Sequence, residues 1–213
     1  MNTPLTGICS YTQILLGQRG ERDPEYPILK KIEQQAFRAA AIASSLLNFS
    51  RQREGDYQPL DIADMVGETL ELFEPHLRGR RINLERRLDG TLPRVNGNRG
   101  RLQQVLMNLL LNAVDAMPQG GALTVAAGSG SGRVLIEVAD TGVGIPSEHL
   151  ERIYDPFFTT KPRGRGTGLG LSVSYGIVKE HAGTLTAEST PGEGSRFVVS
   201  LPVAGGAVRR VSA

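Results

Sequence analysis

The chain has 213 residues, 39% of them hydrophobic, enough for one full core and a smaller module at roughly 100–200 residues per domain. Lys and Arg total 24 against 22 Asp and Glu, a net charge of +2, which lacks the basic excess of a nucleic-acid-binding protein. A single cysteine, Cys9, excludes an intramolecular disulfide and fits a reducing compartment. No apolar run approaches the ~18 residues of a membrane span and no signal peptide opens the chain, so the sequence reads as cytoplasmic, with any membrane segment expected upstream.

Asn2-Thr3-Pro4-Leu5 opens a helix in which Leu5, Ile8, Cys9, Thr12, Leu15 and Leu16 recur at helical spacing. Gly17, Gly20, Pro24 and Pro27 make 17–27 a loop. A longer helix over about 28–53 carries Ile28, Ile32, Ala36, Ala39, Ala43, Leu46 and Phe49 as an apolar stripe. Such a hairpin cannot bury both stripes alone, so half of a dimeric four-helix bundle is expected. Cys9 reads as a packed core thiol. Glu54-Gly55-Asp56 breaks the helix and sets the expected boundary: a hairpin over 1–54, a second domain over 55–203 and a flexible tail over 204–213.

In the second domain, 57–60 reads as a short strand, and Asp61 as the cap of a helix carrying Ile62, Met65, Val66, Leu70 and Phe73. Ile82, Leu84, Arg86 and Leu88 alternate as a strand. An amphipathic helix is predicted over 102–117, then a hairpin of strands 123–127 and 134–139 joined by a turn over 128–132. Ser147 is expected to cap a short helix running to 153. The stretch 155–167 has no period and is rich in Gly, Pro, Lys and Arg, so it reads as a lid. A helix over 168–182 and a hairpin of strands 184–189 and 196–201 close the domain, with a frayed tail from about Val203. The elements predict an α+β sandwich, with helices on one face of a mixed sheet.

Three stretches carry chemistry. Asn108 and Asn112 lie one turn apart on the predicted helix, with Gln104 and Asp115 on the same polar face. That face is either a solvated stripe or a ligand face; an Asn carbonyl is a hard oxygen that suits Mg²⁺. Asp140 ends an apolar strand and needs partners there: it is a turn aspartate, or it accepts from the exocyclic amine of adenine. Gly142 and Gly144 permit positive φ and close approach of a ring, and Ile145 can pack on that ring. Gly164, Gly166, Gly168 and Gly170 alternate ahead of a helix. They match neither the dinucleotide fingerprint nor the Walker loop, yet they leave backbone N–H groups where phosphates bind. Lys161, Arg163 and Arg165 can neutralise phosphates or simply be solvated; Phe157 and Phe158 are lid anchors or core.

Together, Asn108-Leu-Leu-Leu-Asn112-Ala-Val-Asp115-Ala-Met117, Asp140-Thr-Gly142-Val-Gly144-Ile145, Asp155-Pro-Phe157-Phe158-Thr-Thr-Lys161 and Gly166-Thr-Gly168-Leu-Gly170-Leu171 resemble the asparagine, first glycine, phenylalanine and second glycine boxes of sensor histidine kinases, members of the GHKL superfamily. The resemblance extends through Ser172–His181 and covers most of 57–202; Asn2-Thr-Pro4-Leu5 resembles the segment after the phosphoacceptor histidine of the dimerisation hairpin. It implies a Bergerat-type ATP-binding fold, Mg-ATP-dependent phosphoryl transfer to a histidine and then to a response-regulator receiver domain, and ATP and Mg²⁺ as cofactors. The implied ATP site comprises Asn108, Asn112, Asp115, Ala116, Asp140, Gly142, Gly144, Ile145, Phe158, Lys161, Gly166, Thr167, Gly168, Leu169 and Gly170, with Asn112 as metal ligand.

The family pattern reads His-Glu-x-Asn-x-Pro-Leu, and Met1 stands at the x before Asn2. The chain is therefore expected to be truncated just after the acceptor histidine, with no catalytic histidine or adjacent acid, no usual autophosphorylation and a weakened homodimer. His76, His149 and His181 are not expected to accept. Asn96-Gly97-Asn98 replaces a frequent Gly-Asp-Pro, so a weaker helix cap is expected, and Asp115 stands where many members carry a basic residue. Two alternatives remain: a gyrase- or MutL-like ATPase switch, which wants a glutamate base where Asn108 stands, and a response-regulator-binding module.

Overall fold

The computed structural model describes residues 11–12, 15, 23–29, 31–32, 57–77, 79–161 and 167–205. The chain divides into two units, Met1–Glu54 and Gly55–Ala213. In the first, 11–12, 15, 26–29 and 31–32 are helical, and a turn precedes 26 in which the Glu25 N–H donates to Asp23 Oδ1 at 2.8 Å. The remainder of the expected hairpin, including Cys9, lies outside the described residues.

The second unit carries β1 (Gln58–Leu60), α1 (Ile62–Leu77), β2 (Ile82–Leu88), β3 (Val95–Gly97), α2 (Arg99–Ala116), β4 (Gly121–Gly130), β5 (Arg133–Asp140), α3 (Ser147–Leu150), α4 (Gly170–Glu180), β6 (Thr184–Thr190) and β7 (Gly194–Pro202). It is the expected α+β architecture. A five-stranded mixed sheet runs β2-β4-β5-β7-β6, and β1 pairs with β3 in a small second sheet. β2 and β4 are parallel, and the other neighbours in the large sheet are antiparallel.

Side-chain parity decides which sheet face is covered. Leu123, Val125 and Ala127 of β4, Val134, Ile136 and Val138 of β5, and Phe197, Val199 and Leu201 of β7 are buried, as successive strand residues alternate between faces. The stripes Met65-Val66-Leu70-Phe73 of α1 and Leu102-Leu106-Leu109-Leu110 of α2 join them in one core, each large side chain contributing about 1.5–3 kcal/mol. Asp140 shares the inward parity of β5 and faces Leu123 on β4 and Ser195 on β7 in register.

Capping fixes the helix starts. Asp61 Oδ1 accepts the Asp64 N–H at 3.1 Å ahead of α1, as the sequence predicts. The weaker cap expected on α2 is not found: Asn98 takes the N-cap position and its Oδ1 accepts the Arg101 N–H at 3.0 Å, and asparagine caps as well as aspartate. Ser147 is not a cap; Pro146 holds that position without a side-chain hydrogen bond, and α3 stops at Leu150. The 128–132 turn is shorter than expected. β4 runs to Gly130 and only Ser131-Gly132 turn, with φ of 53° and 72°, a two-residue hairpin whose twist suits the flanking strands. Fraying does not begin at Val203, which bridges to Val95, and the Ala204 N–H donates to Arg94 O at 2.7 Å.

Candidate functional site

α2 and α4 pack together, and Asn108 ties them. Its Nδ2 donates to Gly170 O and to Ser174 Oγ, both at 3.1 Å. Ser174 is fully buried, and its hydroxyl donates to the same Gly170 carbonyl at 2.8 Å. Asn108 is thus a fixed amide strut. One turn on, Asn112 Oδ1 and Asp115 Oδ2 both accept from Lys161 Nζ, at 3.3 and 2.7 Å.

The C-terminal end of α2 meets the Asp140 turn. Asp140 is 8% exposed, and its Oδ1 accepts the Gly142 N–H at 2.8 Å. Burial holds its carboxyl above the usual carboxylate range, while backbone N–H groups of Gly142 and Ser195 draw it partly back. The Val143 N–H donates to Ala116 O at 3.0 Å. A Cβ on Gly142 would lie 2.5 Å from Ala116 O, and one on Gly144 (φ +70°) 2.2 Å from Thr190 O. The space these glycines leave is therefore filled by the chain's own backbone. The Ile145 N–H donates to Ser189 Oγ at 2.7 Å, and its side chain packs on the core.

The 155–161 stretch resolves the two readings of its phenylalanines. Phe158 packs against the core, edge-on to His149 at 5.5 Å and under the Arg152 guanidinium at 4.7 Å. Phe157 is 74% exposed with φ of 67°. Its N–H donates to Gly168 O at 3.0 Å, and a Cβ on Gly168 (φ +67°) would come within 2.3 Å of Phe157 C. Leu169 holds the N-cap of α4 with no side-chain bond to the helix, and its own N–H reaches Thr167 Oγ1 at 3.4 Å. Gly166, with Arg163, Gly164 and Arg165, lies outside the described residues.

Residues 97–205 match the profile of the histidine kinase-, DNA gyrase B-, and HSP90-like ATPase family, just over half of the chain. The chain belongs to this family. Within it, the likeness is to sensor kinases: it is 38% identical to the sensor kinase CckA of Brucella abortus (strain 2308) over 94% of this chain and 23% of that protein. It is 41% identical to the sensor histidine kinase ZraS of Klebsiella oxytoca over 81% of this chain and 37% of that one. It thus spans well under half the length of these curated relatives. The catalytic domain of the histidine kinase ThkA superimposes with a TM-score of 0.63 at 32% identity, covering 70% of this chain and 96% of that domain. Full-length ShkA in complex with AMPPNP gives 0.70 at 25%, covering 94% and 43%. ThkA in complex with the response regulator TrrA gives 0.69 at 26%, covering 94% and 57%.

In this histidine kinase catalytic domain the asparagine and glycine boxes meet around α2, although they lie far apart in sequence. Several supporting side chains carried no sequence signal. Ser174 reads as an ordinary polar helix residue until α4 docks on α2. Ser189 and Ser195, 3.0 Å apart, brace the glycine turn from the opposite hairpin. Gly194 (φ +115°) admits the Asp140 carbonyl, which a Cβ would meet at 1.9 Å. No group of three or more His, Cys, Asp or Glu able to hold a metal occurs among the described residues, and no described helix is long and apolar enough to cross a membrane.

Proposed function

We propose that the chain binds Mg-ATP between α2, the Asp140 turn and the start of α4, and that it is the catalytic module of a sensor kinase that passes the γ-phosphoryl group to a histidine and then to a receiver-domain aspartate. One observation carries the reading. α2 is hydrogen-bonded at its C-terminal end to the turn after Asp140 and along its polar face to the start of α4, which supports a single site in which Asp140 reads the purine and the amides and the start of α4 take metal and phosphates. The AMPPNP held by ShkA supports it.

In this reading Asp140 accepts from the adenine amine beside Gly142, Gly144 and Ile145. Gly166, Thr167, Gly168, Leu169 and Gly170 present backbone N–H groups at a helix start, where phosphates are favoured. Asn112 holds the metal, and the fit has support: its Oδ1 and the Asp115 carboxylate already receive a cation, the Lys161 ammonium. One amide oxygen beside one carboxylate suits Mg²⁺, which keeps several waters and takes phosphate oxygens. When bound, Mg²⁺ neutralises charge on the phosphates. The chain's residues contribute position and electrostatics. Asn108, engaged as a donor to Gly170 and Ser174, cannot take a proton from water, which disfavours the ATPase switch.

The acceptor is a histidine other than the chain's own three. His181 is buried with both ring nitrogens hydrogen-bonded. His149 is half-buried against Phe158, and His76 stacks on Phe73 at 5.5 Å. A receiver domain is the partner, as TrrA is for ThkA, and the hairpin over 1–54 is the dimerisation element. The test is incubation with γ-labelled ATP and Mg²⁺, with and without a longer copy bearing the family's histidine. Label staying in ATP alone and moving to the added copy is the expected result. Rapid release of free phosphate would refute the kinase reading, and acid-labile label on the chain itself would refute the assignment of the acceptor.

A further inference from the structure

Lys161 follows the two phenylalanines and reaches across to α2. Its ammonium is shared between a charged oxygen, Asp115 Oδ2 at 2.7 Å, and a neutral one, Asn112 Oδ1 at 3.3 Å. The two acceptors lie three residues apart on one helix, so they face the same side. With side chains 34% and 42% exposed, Lys161 and Asp115 would contribute little to folding as a plain surface pair. The sharing gives the contact another meaning. An ammonium on a flexible stem and a hydrated Mg²⁺ both seek hard oxygen acceptors, and here the lysine holds the carbonyl assigned to the metal.

We propose that Lys161 is the site's stand-in cation. In the absence of metal it neutralises Asp115, occupies Asn112 Oδ1 and supports binding of metal-free nucleotide; it cedes those oxygens when Mg²⁺ arrives with the nucleotide. The inference rests on the nucleotide reading above and adds to it a determinant of metal dependence. Without the lysine and without metal, the Asp115 carboxylate faces the phosphates uncompensated, and like charges repel.

The test is calorimetric titration of ADP into the full chain, in EDTA and in saturating Mg²⁺. The proteins are the wild type, Lys161→Met, and Lys161→Met combined with Asp115→Asn, each with its thermal melt recorded. Loss of one charge-assisted contact predicts that Lys161→Met binds about tenfold more weakly in EDTA and loses several-fold less in Mg²⁺. Adding Asp115→Asn recovers part of the loss in EDTA, because the uncompensated charge is gone. An equal loss in both conditions would make Lys161 an ordinary phosphate contact and overturn the proposal. So would no change in either, or wild-type binding seen only with Mg²⁺. Wild type that binds ADP in neither condition would refute the nucleotide reading itself.

Discussion

Asp140 is costly for folding, and the proposed nucleotide reading gives that cost a use. Its carboxylate is buried beside Leu123 and Ser195, and burial holds its pKa above the usual range. The folded state therefore binds the proton more readily than the unfolded chain, so this group destabilises as pH rises through the window between the two values. A nucleotide amine that donates to the ionised carboxylate reverses the preference. ADP affinity is therefore expected to fall as pH drops through the carboxyl's raised pKa. Asp140→Asn keeps an oxygen for the Gly142 N–H and removes the buried charge. We expect it to lower ADP affinity at neutral pH by at least about tenfold while leaving the melting temperature equal or higher. Titration and thermal melts together check this, and unchanged affinity would remove Asp140 from base reading. Its need for a partner was legible, because a carboxylate in phase with the apolar residues of a strand is buried with them and costly alone, and the Gly142 N–H meets it; the room for a ring read into Gly142 and Gly144 was not there, because backbone fills it. Ser174 was not legible, because a helix serine's burial depends on a partner helix distant in sequence.

At the scale of elements, His181 joins the end of α4 to the start of α2. The Asn98 N–H donates to its Nε2 at 3.0 Å, which leaves Nδ1 as the protonated nitrogen, donating to Ile177 O at 2.7 Å. The Tyr57 ring stacks on it at 4.9 Å, and Gly97 is tight because a Cβ would meet the imidazole at 2.7 Å. Burial lowers its pKa, with the Ile177 bond and Glu180 opposing and Arg101 adding to the shift. A second ring proton would point at the Asn98 N–H. The stability that the neutral ring contributes is present above the unfolded value of about 6.5 and is lost as pH falls from there through the lower folded value. The urea midpoint should fall between pH 7.5 and 5.5. In His181→Gln, a folded variant without this titration, the stability slope should be shallower by up to about 1.4 kcal/mol per pH unit. Equal slopes in the two proteins would sink the assignment. Nothing in the sequence announced this joint. β3 is three residues long, too short for a period, and it exists because Val95 pairs with Leu60 across an intervening helix and strand. Long strands with clean parity, such as β2, were readable end to end; the parallel pairing of β2 with β4 was not, since it is closed by α2.

The whole chain poses the question of how much of it the candidate site needs. Every core residue described, from Leu60 to Leu201, falls in the second unit, and the site residues that the structure describes run from Asn108 to Gly170 within that same unit. A loss of apolar pattern at Glu54-Gly55-Asp56 was visible in the sequence, where the chain divides into its two units. Whether it separates two independently stable bodies was not, because a hairpin's apolar stripe says that it wants a partner without saying which. The ThkA catalytic domain is matched over 96% of its length by 70% of this chain, so a domain of that extent stands alone in a related kinase. A core that closes on itself is expected to melt cooperatively alone. We therefore expect residues 55–213, expressed separately, to unfold in a single urea transition with the same midpoint whether followed by circular dichroism or by tyrosine fluorescence, and to bind ADP within about twofold of the full chain, a difference of under ~0.5 kcal/mol. Non-coincident transitions, or lost ADP binding with the fold intact, would mean that residues 1–54 complete the domain or its site, and the boundary would have to move towards the N-terminus.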